Sequence, residues 1–142
     1  MATQLRIATS LVDHLRLTVT DVDRARAFYT DVLGFQVVAP FPSAVLLTNG
    51  AIMLTLGLAP DRERAGRADR FDESRVGLDH LSLRVADRAA LEAARALFAA
   101  RGVTHGEIKD LGAHARIYIL AIRDPDNIQL ELSAPYGDER AA

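Results

Sequence analysis

A short strand-like stretch occurs twice in this chain and limits the folds that the chain can adopt. Residues 13–19 read DHLRLTV and residues 79–85 read DHLSLRV, with five of seven residues identical at an offset of 66 positions. Self-similarity at a fixed offset indicates a duplicated supersecondary unit. In both copies apolar residues alternate with polar ones, which is the period of a strand with one buried face. The sequence therefore predicts two copies of one unit, each opening with a strand whose polar face carries a histidine.

A helix and three further strands are predicted after each opening strand. Asp21 and Asp87, also 66 positions apart, precede apolar residues at helical spacing and are predicted N-caps. Gly34 and Gly102 stand where a left-handed residue is expected to end each helix. The strand-like runs are 35–39, 44–47 and 51–58 in the first unit, with a primed turn predicted at Asn49-Gly50, and 103–108, 116–122 and 128–133 in the second. The expected order of each unit is β-α-β-β-β.

The two units are predicted to form a single domain, residues 1–142, of the α+β class. Unit one spans about 11–58 and unit two about 77–134, whereas 59–76 is charged without an apolar period and is expected to be an exposed linker. The helices are expected to cover the outer face of a curved mixed sheet, and the polar faces to curl into a shared cup. Residues 135–142 are polar or small and are expected to fray.

Composition limits the classes of partner and of site. A chain of 142 residues that is 49% apolar can bury a core of its own, and without cysteine a metal site would need histidine and carboxylate ligands. The 17 basic and 19 acidic residues are interspersed, which argues against a nucleic-acid partner. The first ten residues lack a signal-peptide pattern and no apolar run nears the roughly 20 residues of a membrane helix. A cytoplasmic location without a membrane partner is therefore expected.

The polar faces of the strands carry the residues best suited to chemistry. His14 and His80 occupy matched positions of the repeat, so a pseudo-two-fold relation between the units would bring both imidazoles to one point. Glu131 alternates with leucines on the last strand, where a carboxylate is costly unless it is paired, solvated or bound to a metal. Two histidines and one carboxylate with open positions form a known divalent-metal set. Hydrogen-bonded structural histidines and an exposed edge glutamate are the alternatives.

Other polar residues are candidates for substrate contacts or for proton transfer. Arg16, Arg84 and Gln129 share the polar faces, and the two arginines could hold an anionic substrate group or could neutralise Glu131. His105 and His114 lie in or beside the glycine-containing stretch 102–112. Either could act as an acid or base near neutral pH, or could be a surface histidine without a role.

Further motifs resemble those of a known family. Ala27-Phe28-Tyr29 and Val32-Leu33-Gly34-Phe35 lie in the first helix and at its end, and Asp124-Pro125-Asp126-Asn127 leads into Glu131-Leu132. With the Asp-His-Leu that opens each unit, they resemble the vicinal-oxygen-chelate superfamily over about 12–134. That superfamily includes glyoxalase I, type I extradiol dioxygenases, methylmalonyl-CoA epimerase and the bleomycin- and fosfomycin-resistance proteins.

The resemblance implies a function and a set of site residues. His14, His80 and Glu131 match family metal ligands, with Glu131 also the catalytic carboxylate, for an iron, manganese, nickel or zinc ion. The fourth ligand of glyoxalase I falls near Leu54, which cannot ligate and is expected to contact substrate, while the tyrosine of the dioxygenases falls at Ala121. A metal-dependent glyoxalase-like or dioxygenase-like enzyme acting on a substrate with adjacent oxygens is expected. The alternative is a non-catalytic binding protein of the bleomycin-resistance type.

The resemblance also implies a homodimer. Family members with two units per chain commonly build their cups across a two-fold interface, and the exposed edges of short sheets favour such pairing. Whether the site of this protein lies within one chain or between two is left open by the sequence.

Overall fold

The computed structural model describes residues 6–66 and 68–137, which form two β-α-β-β-β units. Unit one contains β1 (His14–Thr18), α1 (Val22–Asp31), β2 (Gln36–Phe41), β3 (Ala44–Thr48) and β4 (Met53–Gly57). Unit two contains β5 (Leu81–Arg84), α2 (Arg88–Arg101), β6 (Lys109–Asp110), a short α3 (Gly112–Ala115), β7 (Ile117–Arg123) and β8 (Gln129–Pro135). The predicted α+β class and the repeat are confirmed. Of the end that was predicted to fray, residues 138–142 lie outside the described residues.

Each unit builds its own four-stranded mixed sheet. The strand orders are β1-β4-β3-β2 and β5-β8-β7-β6, and the opening strand of each unit pairs in parallel with the last strand. The opening strands β1 and β5 are therefore both edge strands, and they do not pair with each other. Both sheets are open, so within one chain the described strands do not close into the shared cup that the sequence suggested.

The leucine faces of the sheets and the apolar faces of the helices form one continuous core. Leu17 and Leu56 of the first sheet, Tyr29 of α1, Phe98 of α2 and Leu130 of the second sheet belong to the same buried cluster. Burying one such large side chain contributes roughly 1.5–3 kcal/mol. The polar faces of the sheets, which are defined by the histidine-bearing side of β1 and of β5, lie opposite the faces that the helices cover.

The predicted helix caps are confirmed. Asp21 accepts a hydrogen bond from the backbone N–H of Arg24, and Asp87 accepts one from that of Ala90, both at 2.9 Å. Each cap is worth on the order of 1 kcal/mol because it satisfies a helix N–H that has no partner within the helix. Gly102 ends α2 with a φ of 65°, as expected for a left-handed C-terminal residue.

Three local predictions are wrong. The strand predicted at 35–39 continues through Pro40 to Phe41, which β2 tolerates because it is a sheet edge. The turn at Asn49-Gly50 is a longer loop in which Gly50 alone of the pair has a positive φ and the Asn49 side chain accepts from two backbone N–H groups. The strand predicted at 103–108 is reduced to an isolated bridge at His105, and β6 begins only at Lys109.

No helix among the described residues is long and apolar enough to cross a membrane.

Two buried aspartates of the turn before β8 join the two units. The hydroxyl of Tyr29 in α1 donates to Asp124 at 3.1 Å, and Asp126 accepts from the backbone N–H of Thr20 at 3.0 Å and from Arg24 at 2.9 Å. Both aspartates are 5% exposed. Burial raises the pKa of Asp124 to about 6, although hydrogen bonds from its own turn and from Tyr29 oppose that shift. The interface between the units therefore contains a carboxyl group that releases its proton only near pH 6.

The Asp124→Asn variant is expected to lose a pH dependence of stability. Because its pKa is raised on folding, Asp124 binds more protons in the folded chain than in the unfolded one between about pH 4 and pH 6. Its contribution to the free energy of unfolding is therefore greatest below pH 4 and falls as the pH rises to 6, by up to about 3 kcal/mol. Urea unfolding of both proteins at several pH values measures this difference. A difference that does not change with pH would contradict the assignment.

The connector between the units has two parts. Residues 59–66 and 68–70 are mostly exposed, as the sequence predicted. In 71–75, which the sequence also assigned to the exposed linker, Phe71 and Glu73 are instead half-buried. Phe71 donates its backbone N–H to the carbonyl of Asp126 at 2.9 Å, and both terminal nitrogens of Arg123 donate to the Glu73 carboxylate at 2.6 and 2.8 Å. The hydrogen bonds from Arg123 lower the pKa of Glu73 to about 2. The second part of the connector is thus attached to unit two.

Limited trypsin digestion is expected to cut first after Arg62 or Arg64 and not after Arg75. All three arginines are exposed, but only Arg75 follows the segment that is attached to β7. Mass spectrometry of the first fragments identifies the site. In Arg123→Gln the attachment is removed, and cleavage after Arg75 should become as early as cleavage after Arg64. Early cleavage after Arg75 in the unchanged protein would contradict this account.

Candidate functional site

The register of the sheets determines which side chains share a polar face. On adjacent strands, directly opposed residues lie on the same side of the sheet. In unit one Arg16 of β1 is opposite Thr55 of β4, and in unit two Ser82 of β5 is opposite Glu131 of β8. Since Arg16 and Ser82 are repeat equivalents, Thr55 is the unit-one counterpart of Glu131.

His80 and Glu131 lie beside each other on the polar face of the second sheet. The distance from Nε2 of His80 to Oε2 of Glu131 is 3.9 Å, and the hydroxyl of Ser82 donates to Oε1 of Glu131 at 2.9 Å. The Glu131 side chain is 16% exposed and that of His80 is 39% exposed. Asp79 contacts Nδ1 of His80 at 2.6 Å, which favours a proton on Nδ1 and leaves the Nε2 lone pair directed toward Glu131. A carboxylate–histidine pair oriented in this way is suited to hold a cation.

A chain of hydrogen bonds holds Asp79, the residue that contacts Nδ1 of His80. Gln129 donates its amide to Asp79 at 3.0 Å, and Arg123 donates to the amide oxygen of Gln129 at 3.0 Å. Arg123 in turn donates from both terminal nitrogens to the two carboxylate oxygens of Glu73 in the connector. Both polar ends of the Gln129 side chain are therefore occupied by protein groups. Gln129, for which the sequence predicts a contact with substrate, thus also orients Asp79.

His14 repeats the local arrangement but lies in the other sheet. Its Nδ1 contacts Asp13 at 2.7 Å, and its side chain is 61% exposed. Across the described parts of the chain, no group of three or more histidine, aspartate and glutamate side chains is placed to hold a metal ion. The structure of one chain thus brings His80 and Glu131 together and leaves His14 apart from them.

Leu54 does not belong to the site. It is opposite Leu15 and is fully buried in the core, because it shares the face that is covered by the helices. The expectation that Leu54 contacts substrate is therefore wrong. The alternation of β4 could have indicated this in advance, since Leu54 and Leu56 carry the apolar period and Thr55 falls between them.

The remaining candidate site residues lie at separate places in unit two. Ala121 lies directly opposite Glu131 and shares its face, so a small side chain borders the carboxylate there. His105 packs against the ring of Phe98, with centroids 6.3 Å apart, and bridges to Ile122. His114 is exposed in α3, and Arg84 is exposed on β5. The residue that the sequence reasoning missed is Asp79, which lies inside the repeated motif itself, whereas Thr55 is a position that a one-residue slip from Leu54 already suggested.

Known proteins resemble this chain over most of its length. Residues 11–132 match the model of the glyoxalase/bleomycin resistance protein/dioxygenase superfamily. The virulence protein STM3117 of Salmonella typhimurium is 30% identical over 86% of this chain and 82% of its own length. The catechol-2,3-dioxygenase of Bacillus subtilis is 28% identical over 87% of this chain, but the match spans only 41% of that enzyme.

Solved structures show the same fold. The crystal structure of a glyoxylase/bleomycin resistance protein/dioxygenase domain from Frankia sp. EAN1pec matches with a TM-score of 0.76 and 29% identity. The match covers 93% of this chain and 96% of that one.

Proposed function

Because this chain belongs to the glyoxalase/bleomycin resistance protein/dioxygenase superfamily, we propose that it is a small-molecule enzyme that depends on a divalent metal ion held by His14, His80 and Glu131. The observation that carries this proposal is the 3.9 Å approach of Nε2 of His80 to the nearly buried Glu131 carboxylate, with Asp79 on the other ring nitrogen. Iron, manganese, nickel and zinc all suit such a ligand set.

We propose that the third ligand, His14, comes from a second copy of the chain. Both β1 and β5 are edge strands, and exposed apolar side chains precede them in the chain: Leu11 is 92% exposed and Val12 73% exposed just before β1, and Val76, five residues before β5, is fully exposed. Unpaired sheet edges with apolar neighbours favour association. A two-fold dimer that set β1 of one copy beside β5 of the other would place His14 of the partner subunit near His80 and Glu131.

Each residue at the site would then have a separate role in metal binding or substrate binding. A bound divalent ion would act as a Lewis acid toward adjacent oxygens of the substrate. Glu131 supplies negative charge to the site, and the hydrogen bond from Ser82 fixes the orientation of its carboxylate. Asp79 keeps the lone pair of His80 on Nε2, and Ala121 leaves room beside Glu131 for a substrate. Arg84, on the same face, is available for a substrate anion.

Complementation between two defective variants tests both the metal and the dimer. His14→Ala and His80→Ala proteins should each bind little metal when purified separately. After they are mixed, unfolded and refolded together, about half of the dimers would contain one intact site, and metal content should rise to about a quarter of the normal value. If all ligands came from one chain, mixing would restore nothing, and that result would contradict the proposed interface.

A binding protein without catalysis is the second candidate function. A cavity of about 300 Å³ lies beside β1, a size that suits a small ligand. This alternative is favoured if an aromatic molecule binds equally well with and without metal, while metal content has no effect on turnover of substrates with adjacent oxygens.

A further inference from the structure

The carboxylate that contacts the ring of His80 belongs to an exposed side chain. Asp79 is 67% exposed, and one of its oxygens lies 2.6 Å from Nδ1 of His80. An exposed side chain that packing does not hold is free to change its rotamer. The amide of Gln129 donates to the same oxygen of Asp79 at 3.0 Å and so opposes this rotation. The orientation of the His80 ring therefore depends on which end of the Gln129 amide faces Asp79.

Arg123 determines which end of that amide faces Asp79. A guanidinium has only N–H donors, and an ionised carboxylate has only acceptors. The amide between them must therefore turn its oxygen to Arg123 and its NH2 group to Asp79. This is the arrangement in the structure, where both hydrogen bonds of Gln129 are 3.0 Å long. A reversed amide would set two acceptors against each other at one end and two donors at the other.

Glu73 of the connector holds Arg123 in its position. The two terminal nitrogens of Arg123 donate to the two oxygens of the Glu73 carboxylate at 2.8 and 2.6 Å. A two-point ion pair of this kind fixes the plane of a guanidinium as well as its place. The side chains of Arg123 and Glu73 are only 24% and 30% exposed, so water competes less for this pair than for Asp79.

The repeat identifies the unit-one counterpart of Gln129. Gln129 lies two residues before Glu131. The counterpart of Glu131 is Thr55, and Met53 lies two residues before Thr55. Met53 is opposite His14 on β1. A thioether has no hydrogen to donate, so Met53 cannot hold a carboxylate beside His14 as Gln129 holds one beside His80.

The unit-one counterpart of Arg123 differs as well. Arg123 is opposite Gln129 on β7, and Thr48 is opposite Met53 on β3. The hydroxyl of Thr48 donates to the carbonyl of Ile52, within its own hairpin, at 2.9 Å. The same strand pairing therefore forms with either pair of residues. What Arg123 and Gln129 add in unit two is a connection from the connector to the site.

We propose that Gln129, Arg123 and Glu73 are positioning residues for His80, and that attachment of the connector presents Nε2 of His80 to the metal ion. This inference rests on the proposed metal site, in which Nε2 binds the ion. A proton kept on Nδ1 by Asp79 leaves the Nε2 lone pair free. Release of the connector lets Asp79 rotate and the ring adopt either tautomer, so the connector controls the affinity of the site for a divalent ion.

NMR of the histidine ring nitrogens in metal-free protein tests this proposal apart from the metal. The nitrogen shifts show which ring nitrogen carries the proton, and they are recorded at alkaline pH, where they no longer change with pH. His80 should carry its proton on Nδ1 in a larger fraction of molecules than His14, which is the internal control. Gln129→Met, which places the residue of unit one in unit two, should lower this fraction for His80 to about that for His14. The His14 signals should stay unchanged.

Trypsin digestion separates positioning of His80 from attachment of the connector. Gln129→Met leaves the ion pair between Arg123 and Glu73 in place. The bond after Arg75 should therefore stay protected in this variant although the His80 tautomer changes. Glu73→Ala should change both the protection and the tautomer, because it removes the first link of the chain.

Conservative and control variants complete the set. Arg123→Lys should restore part of the His80 tautomer ratio that Arg123→Gln loses, because an ammonium group can still donate to Gln129. Arg95→Gln is the matched control, since it removes a comparable ion pair with Glu107 in the same unit. It should change neither the tautomer ratio nor the cleavage after Arg75.

Manganese binding provides the reciprocal measurement. Gln129→Met and Glu73→Ala should each bind manganese about tenfold more weakly than the unchanged protein in competition with a chelator. By linkage, saturating manganese should slow cleavage after Arg75 by about the same factor in the unchanged protein, and not in Gln129→Met. Cleavage after Arg64 serves as the control for an effect of manganese on trypsin.

Two results would overturn the proposal: an equal Nδ1 proton fraction on His80 in the unchanged protein and in Gln129→Met, or equal and measurable manganese affinity in all the variants. A third result separates this inference from the metal site. If no protein bound manganese but the His80 ratio still depended on Gln129, the metal site would be overturned and the positioning role supported.

Discussion

Replacing Glu131 with glutamine is expected to lower divalent-metal affinity by at least about tenfold while the fold persists. Glutamine has nearly the same volume and can still accept the hydrogen bond from Ser82, so the side chain should remain in place. The loss is that of the negative charge beside His80, without which two imidazoles bind divalent ions weakly. The measurement is metal content by mass spectrometry after loading with manganese, iron, nickel or zinc and dialysis.

Glu107→Gln is the control for this experiment. Glu107 is also a glutamate in unit two, but it is paired with Arg95 at 2.5 Å and is exposed, away from the polar face of β8. Its replacement should leave metal content unchanged. If the unchanged protein and the Glu131→Gln variant both retained the same near-zero metal after loading, the metalloenzyme proposal would be abandoned in favour of the binding protein.

Introducing a glutamate at Thr55 is expected to have the opposite effect and to tighten metal binding by roughly tenfold to a hundredfold. Thr55 is half-buried on the polar face and is opposite Arg16, as Glu131 is opposite Ser82. A carboxylate at this position would add a fourth ligand on the strand next to His14. The change is measured as the dissociation constant of a metal in competition with a chelator.

The neighbouring variant Leu54→Glu provides a sharp contrast. Leu54 is fully buried, so an ionised carboxylate there would have no partner, and the free energy of unfolding is expected to fall by on the order of 4 kcal/mol. Thermal unfolding distinguishes the two variants directly. A stable, metal-tight Leu54→Glu protein together with an unaffected Thr55→Glu protein would show that the register of β4 is assigned incorrectly.

The sequence predicted the fold well because the signals were local and repeated. The matched strands at His14 and His80, the caps Asp21 and Asp87 and the stop at Gly102 depend on neighbouring residues, and each was predicted correctly. The extent of β2 was harder to predict. Whether a strand tolerates Pro40 depends on its being an edge strand, which is a property of the whole sheet and is absent from the local pattern.

The candidate site was predicted less completely because it depends on register and on contacts between distant segments. A shift of one residue along β4 separates Leu54 in the core from Thr55 on the polar face, and only strand pairing decides between them. The role of Gln129 depends on Arg123 and Asp79, which lie 6 and 50 positions away from it. Such partners are brought together by the tertiary fold, so periodicity cannot reveal them.

The hydrogen-bond chain from Glu73 through Arg123, Gln129 and Asp79 to His80 makes the two repeated histidines unequal. The connector lies directly before unit two, so this chain of hydrogen bonds reaches His80, whereas the described contact of the His14 ring is with Asp13. Insertions between 59 and 66 should therefore be tolerated, whereas a change at Glu73 would alter the orientation of His80 through this hydrogen-bond chain.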